Sequence, residues 1–460
     1  MQSLTGKKYA PRLGFFLLTT FVVSGAAFFN KFPLVQEASG RFLLAGLSLE
    51  PPPGETGTYG LFVRMVTWQA SLWPIVLVQA AILNALLLRT TALLLPGFKR
   101  RRVYFPLMLG LALLTGMSWI AGTLLPDIFL GYAFLGTFLW FLDRELSVAG
   151  RIALAVLLVF SWSAQLGHLG FGLVGLLVGG IFWVSRRRRL ARDRKNLGLW
   201  LGIILLALLW VPTYNALMGN GFRFHSSFRV HLLAKGVENG MLDALIGAEC
   251  RAKGPGEKDR FCAYCGETAF SAYAVKLDRD SVLQDSTGSA WDDPVGFGVP
   301  GHLPQGAGAW LNFLGKGFSG AFRQLLTNDF TRYANIWMDE ERPYAHNIAR
   351  VVHDRFPHAF GEYMFSRQNR INLRLELLPF LNWPLLGLSL GFLIWQWGAW
   401  GKDPKWRLFV GLLLGFIVLN ALVQGMLLGV NDLAGARLTW LLVFAAGATA
   451  VKRFGTNVNI

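Results

Sequence analysis

The chain has 460 residues, of which 53% are hydrophobic and 15% are charged, and it carries a formal net charge of +17 at pH 7. This composition excludes an ordinary water-soluble protein and is typical of a polytopic membrane protein. Short basic clusters between the apolar runs account for the whole net charge, so the charge does not indicate a nucleic-acid partner. These clusters are Lys7 to Arg12, Lys99 to Arg102, Arg144 to Arg151, Arg186 to Lys195, Lys402 to Arg407, and Lys452 to Arg453.

The apolar runs predict ten transmembrane helices. Nine runs are visible, at about 13–29, 72–94, 103–124, 128–142, 152–184, 197–216, 377–397, 408–428 and 438–451. The run 152–184 exceeds the ~20 residues that cross a bilayer. The clusters Lys99 to Arg102 and Arg186 to Lys195 should both be cytoplasmic, so an even number of spans must separate them, and this run therefore predicts two spans turning near 165–172. The sequence therefore predicts an all-α polytopic protein with both termini cytoplasmic.

Three regions follow from this topology. Residues 1–216 form a membrane module with spans 1–7 and a long first loop (30–71), residues 217–376 form an external domain of mixed structure, and residues 377–460 carry spans 8–10. The external domain contains all three cysteines, and an oxidising compartment would permit a disulfide. Cys250 with Cys262 is the first choice and Cys250 with Cys265 the second, while the spacing does not supply a zinc site.

The first loop is the predicted chemical site. Its part 33–49 is amphipathic, as expected of a helix on a membrane surface, and a Pro-Pro-Pro-Gly break follows. Carboxylates desolvated at a membrane edge are suited to act as general bases. The predicted site residues are Glu37, Glu50 and Glu55 as bases, with Arg41, Tyr59 and Arg64 as substrate-binding side chains. Glu37 and Arg41 would alternatively form an ordinary helix ion pair.

Further polar candidates lie at the ends of spans. Asp127 is placed to bind a divalent cation or orient a substrate hydroxyl, or else to cap the helix that follows. His168, in an outer turn, would bind substrate or cap that turn. Arg437 follows Asp432 in the last external turn, where it would hold a phosphate or pair with Asp432.

The long first loop, the Leu-Pro-Asp turn at Asp127, His168-Leu169, and the Asn-Asp and Ala-Arg-Leu-Thr-Trp segments before the last span resemble uncharacterised bacterial inner-membrane proteins. Those in turn resemble the GT-C superfamily of membrane glycosyltransferases, which use polyprenyl-phosphate-linked sugars. The resemblance implies a multi-pass protein of the bacterial inner membrane, with an acidic residue of the first loop activating the acceptor on the periplasmic side. Here that role would fall to Glu37, Glu50 or Glu55, because the loop has no aspartate. The resemblance also implies lipid and lipid-linked sugar as partners.

Two other classes of function stay open. One is a non-catalytic membrane subunit or scaffold whose external domain docks other membrane or periplasmic proteins, which the absence of aspartate in the loop favours. The other is a lipid flippase or transporter. Transporters usually carry ionisable residues near mid-membrane, whereas the polar residues of this chain gather at span ends.

Overall fold

The structure is a computed structural model. It describes residues 6–52, 55–67, 71–96, 100–185, 191–222, 224, 284–285, 288–289, 307–326, 348–370, 373, 378–400, 403–425 and 432–454. Apart from one antiparallel pair of two-residue strands, β1 (Gln284–Asp285) and β2 (Gly288–Ser289), the regular elements in this part of the chain are helices. The all-α class predicted from the sequence is therefore confirmed.

The described helices are numbered in chain order. They are α1 (Gly6–Val23), α2 (Gly25–Asn30), α3 (Glu37–Ser48), α4 (Thr58–Thr67), α5 (Trp73–Leu94), α6 (Arg100–Leu114), α7 (Met117–Gly122), α8 (Ile128–Leu142), α9 (Val148–Ser163), α10 (Leu166–Ser185), α11 (Ala191–Leu217), α12 (Ala307–Leu326), α13 (Ile348–Arg355), α14 (Pro357–Met364), α15 (Leu378–Trp395), α16 (Trp397–Trp400), α17 (Pro404–Val423) and α18 (Asp432–Phe454).

Within the described ranges, four helices are long and apolar enough to cross a membrane: Trp73–Leu94, Lys195–Leu217, Pro404–Val423 and Leu433–Phe454. A fifth candidate is the pair Val148–Ser163 and Leu166–Leu177, between which the chain bends by 115°. These apolar helices indicate a membrane protein. The four or five helices in the described ranges that are long and apolar enough to cross are fewer than the ten spans predicted from the sequence.

Two broken helices and one short helix account for part of the difference in number. The predicted first and third spans are each divided, at Ser24 and at 115–116. The predicted fourth span is α8, whose 15 residues extend only about 22 Å, less than the ~30 Å of a hydrocarbon core. Hydropathy registers the apolar composition of such a segment but not the place where its helix stops.

The centre of the fold is α8. Every residue from Ile128 to Trp140 is buried, because α5, α9, α11, α17 and α18 all pack around this helix. A helix that is apolar on all sides belongs in such an interior position. Aromatic rings fill one side of it, with Phe134 and Phe138 both in edge-on contact with Phe409 of α17, at centroid distances of 5.3 and 4.9 Å.

An ion pair joins the ends of α5 and α8. The Arg89 guanidinium donates to both carboxylate oxygens of Asp143, through Nε to one and through Nη2, at 2.7 Å, to the other. Asp143 is fully buried and also accepts from the backbone N–H of Glu145 at 3.1 Å. This two-point contact fixes the register of the two helices at one edge of the bundle.

Much of the predicted external domain (217–376), including Cys250, Cys262 and Cys265, lies outside the described residues, so the predicted disulfide stays a prediction. The parts that are described pack against the rest of the chain. α12 lies on α17 and α18, and α13 lies on α3. After α14, the side chain of Gln368 both accepts from the backbone N–H of Val35 at 3.1 Å and donates to its carbonyl at 2.7 Å.

Candidate functional site

The first loop folds into two packed helices, α3 and α4. Their backbones touch, because a Cβ on Gly46 would lie 2.7 Å from a Val63 side-chain carbon and a Cβ on Gly60 would lie 2.9 Å from the backbone of Ala45. Arg64 donates to the carbonyl of Leu47 at 2.9 Å, which satisfies one of the open acceptors at the end of α3. The described contact of Arg64 therefore holds the loop together.

Side chains of α11 and the α9–α10 break anchor this helix pair. The Tyr214 hydroxyl donates to the carbonyl of Leu49 at 2.7 Å, and its ring lies so close to Gly57 that a Cβ there would be 2.1 Å from Cε1. The Thr56 hydroxyl donates to the carbonyl of Ser163, the last residue of α9, at 2.7 Å. The turn between α3 and α4 is therefore set directly against the break between α9 and α10.

An interior polar cluster lies at this break, and we define it as Asp127, Gln165, His168 and Arg437. Nη1 of Arg437 donates to the Asp127 carboxylate at 3.2 Å and to the Gln165 side-chain oxygen at 3.0 Å. Arg437 is only 1% exposed. Asp127 stands at the first position before α8 but makes no side-chain capping hydrogen bond, so its carboxylate faces the guanidinium instead.

His168 completes the cluster from the first turn of α10. Its Nδ1 lies 2.9 Å from the carbonyl of Ser161, and since a carbonyl only accepts, this nitrogen carries the proton of the neutral ring. Nε2 is then a lone-pair acceptor. It is buried and has no hydrogen-bond partner among the described residues. The arrangement leaves one lone-pair nitrogen in the interior, on a ring whose backbone N–H is hydrogen-bonded to the carbonyl of Gln165 at 3.0 Å.

Tyr59 of α4 borders the cluster and is fully buried. Its hydroxyl lies 3.2 Å from the side-chain oxygen of Gln79, whose amide group donates to the carbonyl of Thr123 at 3.2 Å. Burial, and secondarily the Asp127 carboxylate, raises the pKa of the Tyr59 hydroxyl well above its usual range. Tyr59 is therefore a proton-bearing donor that ties the first loop to α5.

The three glutamates of the first loop differ in position. Glu50 is exposed, and Glu55 is half-buried. Glu55 comes directly before Thr56 and so lies where the loop meets the α9–α10 break. Glu37 is the first residue of α3, and its side chain lies outside what the structure describes. Among these carboxylates, Glu55 is the one whose chain neighbour, Thr56, contacts the α9–α10 break.

Two arginines predicted to bind substrate have different surroundings. Arg41 of α3 is half-buried, and its Nε is shielded from solvent without a hydrogen-bond partner in the described part of the chain. Arg437 contacts Asp127, which lies at the start of α8. The sequence suggested an ion pair between Arg437 and Asp432, which lies on α18 as Arg437 does. Asp432 begins α18, and its side chain is outside the described residues.

The structure thus brings together Tyr59, Asp127, His168 and Arg437, which the sequence offered as separate candidates. Sequence reasoning did not assign Gln79 or Gln165 to the site, although both are amides in or beside long apolar runs, and that signal points to function. Within the described ranges no three His, Cys, Asp or Glu side chains converge on a possible metal position. The chemistry of the assembled groups is that of a carboxylate, a guanidinium and a neutral imidazole sharing one desolvated region.

No protein-family model matches this chain, and neither a curated protein nor a solved structure matches it.

Proposed function

We propose that this chain is a GT-C-like membrane glycosyltransferase that moves a sugar from a polyprenyl-phosphate donor to an acceptor on the periplasmic side of a bacterial inner membrane. The observation that supports this best is the junction of the first loop with the α9–α10 break. There Glu55, a half-buried carboxylate, directly precedes Thr56, which contacts the α9–α10 break. Gln165, in the same break, accepts a hydrogen bond from Arg437 of the interior Asp127–Arg437 pair.

In this proposal Glu55 is the general base. Its carboxylate takes the proton of the acceptor hydroxyl while the acceptor oxygen bonds to the anomeric carbon and the bond from that carbon to the phosphate oxygen breaks. The lipid phosphate leaves with the electron pair of the broken bond. Arg41, whose buried Nε lacks a hydrogen-bond partner among the described residues, would stabilise that phosphate. Arg437 would act by positioning Asp127.

We also propose that the fold makes ten crossings. Among the described helices, ten units would make these crossings when the broken pairs count as one each: α1–α2, α5, α6–α7, α8, α9, α10, α11, α15, α17 and α18. The 15-residue α8 would cross inside the bundle, where the other helices surround it. In this arrangement the first loop and Gln165 lie on the same, external side. A lipid-linked sugar would then reach the site from the bilayer with its isoprenoid tail between helices.

The test is transfer of a radiolabelled hexose or pentose from polyprenyl phosphate by the purified full-length chain in nanodiscs of bacterial lipid. Because general-base catalysis contributes about 10²–10⁴-fold, we expect Glu55→Gln to lower the transfer rate by at least about 100-fold. Glu50→Gln is the matched control, since Glu50 is exposed, and should keep the wild-type rate. Equal rates for the two variants, or no transfer by the unsubstituted chain from any donor in the panel, would refute the proposal.

A non-catalytic subunit is the second candidate, and one observation favours it. Arg437 is 1% exposed and Tyr59 is also buried, and both are hydrogen-bonded to other parts of the chain, so this part of the site is already filled by protein. A scaffold would retain its function in cells when Glu55 is replaced by Gln. It would lose that function when a surface that contacts its partner is changed.

A further inference from the structure

The helix α12 presents three distinct faces. Gly317, Ala321 and Gln324 are buried and recur at helical spacing, so they form one face. This face packs on α17 and α18. The sequence assigned α12 to an external domain, but its buried face lies against a helix long and apolar enough to cross a membrane.

The contact between α12 and α17 is made by backbone. A Cβ on Gly425, just beyond the end of α17, would lie 2.1 Å from the backbone nitrogen of Ala321, and a Cβ on Gly320 would lie 2.9 Å from the carbonyl oxygen of Gly425. Such close approach needs glycine on both sides. It fixes α12 beside one end of α17 and therefore fixes the directions of its other faces.

The second face is apolar and exposed. Phe318 is 57% exposed, Phe322 66%, Leu325 41% and Leu326 57%. Their spacing of four, three and one residues places all four on one side of the helix. A contiguous apolar stripe of this kind on a protein surface marks contact with a membrane or with another protein.

The third face of α12 is polar. Around the helix it lies between the buried face and the apolar stripe. Lys316, Ser319 and Arg323 are exposed and share this face. At 100° per residue its centre lies roughly 110° from the centre of the apolar stripe. A helix attached sideways to a membrane span therefore has one face toward the protein, one suited to acyl chains and one suited to water and lipid headgroups.

We propose that α12 lies in the surface of the bilayer, with Phe318, Phe322 and the two leucines among the acyl chains and with Lys316 and Arg323 at the level of anionic headgroups. On α17, the helix against which α12 packs, Val418 is likewise apolar and 48% exposed. The occupant is lipid because the polar face supplies cations on the side where headgroups would lie. This inference does not depend on the proposed glycosyl transfer.

The test uses a photoreactive benzoylphenylalanine in the full-length protein, reconstituted in nanodiscs of zwitterionic and anionic phospholipid. The probe replaces Phe318 or Phe322 in two variants and Ser319, on the polar face, in the matched control. After irradiation and proteolysis, mass spectrometry measures the fraction of the probe-containing peptide that carries a phospholipid. We expect this fraction to be at least tenfold higher at Phe318 and Phe322 than at Ser319.

Equal lipid adduct at all three positions, or none at Phe318 and Phe322, would overturn the proposal. Adducts from these two positions to a second copy of the chain instead of lipid would also overturn it, because they would make the stripe a protein interface. Correct reconstitution is checked by the elution volume of each nanodisc preparation, and only variants matching the unsubstituted protein are compared.

Discussion

Replacing Asp127 by Asn should destabilise the protein strongly, because the substitution leaves the guanidinium of Arg437 in the interior without its countercharge. Arg437 is 1% exposed and the side chain of Asp127 11% exposed, so solvent cannot take the place of the carboxylate. Breaking a buried ion pair from one side typically costs 3–5 kcal/mol. Gln165 and the carbonyl of Ala434 still accept from Arg437, which places the expected loss in the free energy of unfolding at about 3 kcal/mol.

The double variant separates the ion pair from other effects. Arg437→Gln alone should also destabilise, because it leaves the Asp127 carboxylate buried without its cation. When both substitutions are present no unpaired charge remains, so the double variant should be less destabilised than the sum of the two single variants by about 2 kcal/mol. A coupling of this size is typical of residues in direct contact.

The measurement is unfolding by sodium dodecyl sulfate in mixed micelles, followed by circular dichroism. Asp403→Asn is the matched control, since Asp403 pairs with Lys452 at 2.5 Å but both side chains are partly exposed, and such pairs contribute about 0–1 kcal/mol. Strict additivity of the two single substitutions, or a loss for Asp127→Asn no larger than for Asp403→Asn, would refute the reasoning.

Two further predictions follow from single contacts. Gly57→Ala should destabilise by about 1–3 kcal/mol, since its Cβ would lie 2.1 Å from the Tyr214 ring. Gly202→Ala, inside α11 and with nothing within 4 Å of its Cβ, should be neutral or slightly stabilising, because a helix favours alanine over glycine. Equal unfolding midpoints for the two variants would contradict this. Burial works against ionisation of Asp403, but hydrogen bonds led by that from Lys452 outweigh it and lower its pKa. The stabilising effect of the Asp403 carboxylate, of at most about 1 kcal/mol, should thus be present above about pH 4 and fade as pH falls further. In the Asp403→Asn variant, the unfolding midpoint should depend less on pH in this acidic range.

Long uniform apolar runs could be located from the sequence. The predicted spans 72–94 and 197–216 correspond to α5 and α11, because each is bounded by clear signals such as the Trp73-Pro74 start. The prediction was less successful where the helix breaks inside an apolar run. Ser24, for example, leaves little trace in hydropathy, yet α1 ends just before it and α2 begins just after it.

The site illustrates a different limit. The sequence identified Asp127 and Arg437 as unusual residues from their polar character at span ends, but it could only consider local partners such as Asp432. The observed pair joins residues 310 positions apart. Such pairing depends on how α8 and α18 lie side by side, and nothing in the local composition of either helix encodes that arrangement.

The bond between Gln368 and the backbone of Val35 has a consequence for biosynthesis. Gln368 leaves the ribosome 333 residues after Val35. At about 5–20 residues per second, that interval is roughly 20–70 s. During this time the backbone donor and acceptor of Val35 must be satisfied by water or by another partner. The backbone around Val35 is therefore expected to stay accessible to proteases and chaperones until Gln368 has been synthesised.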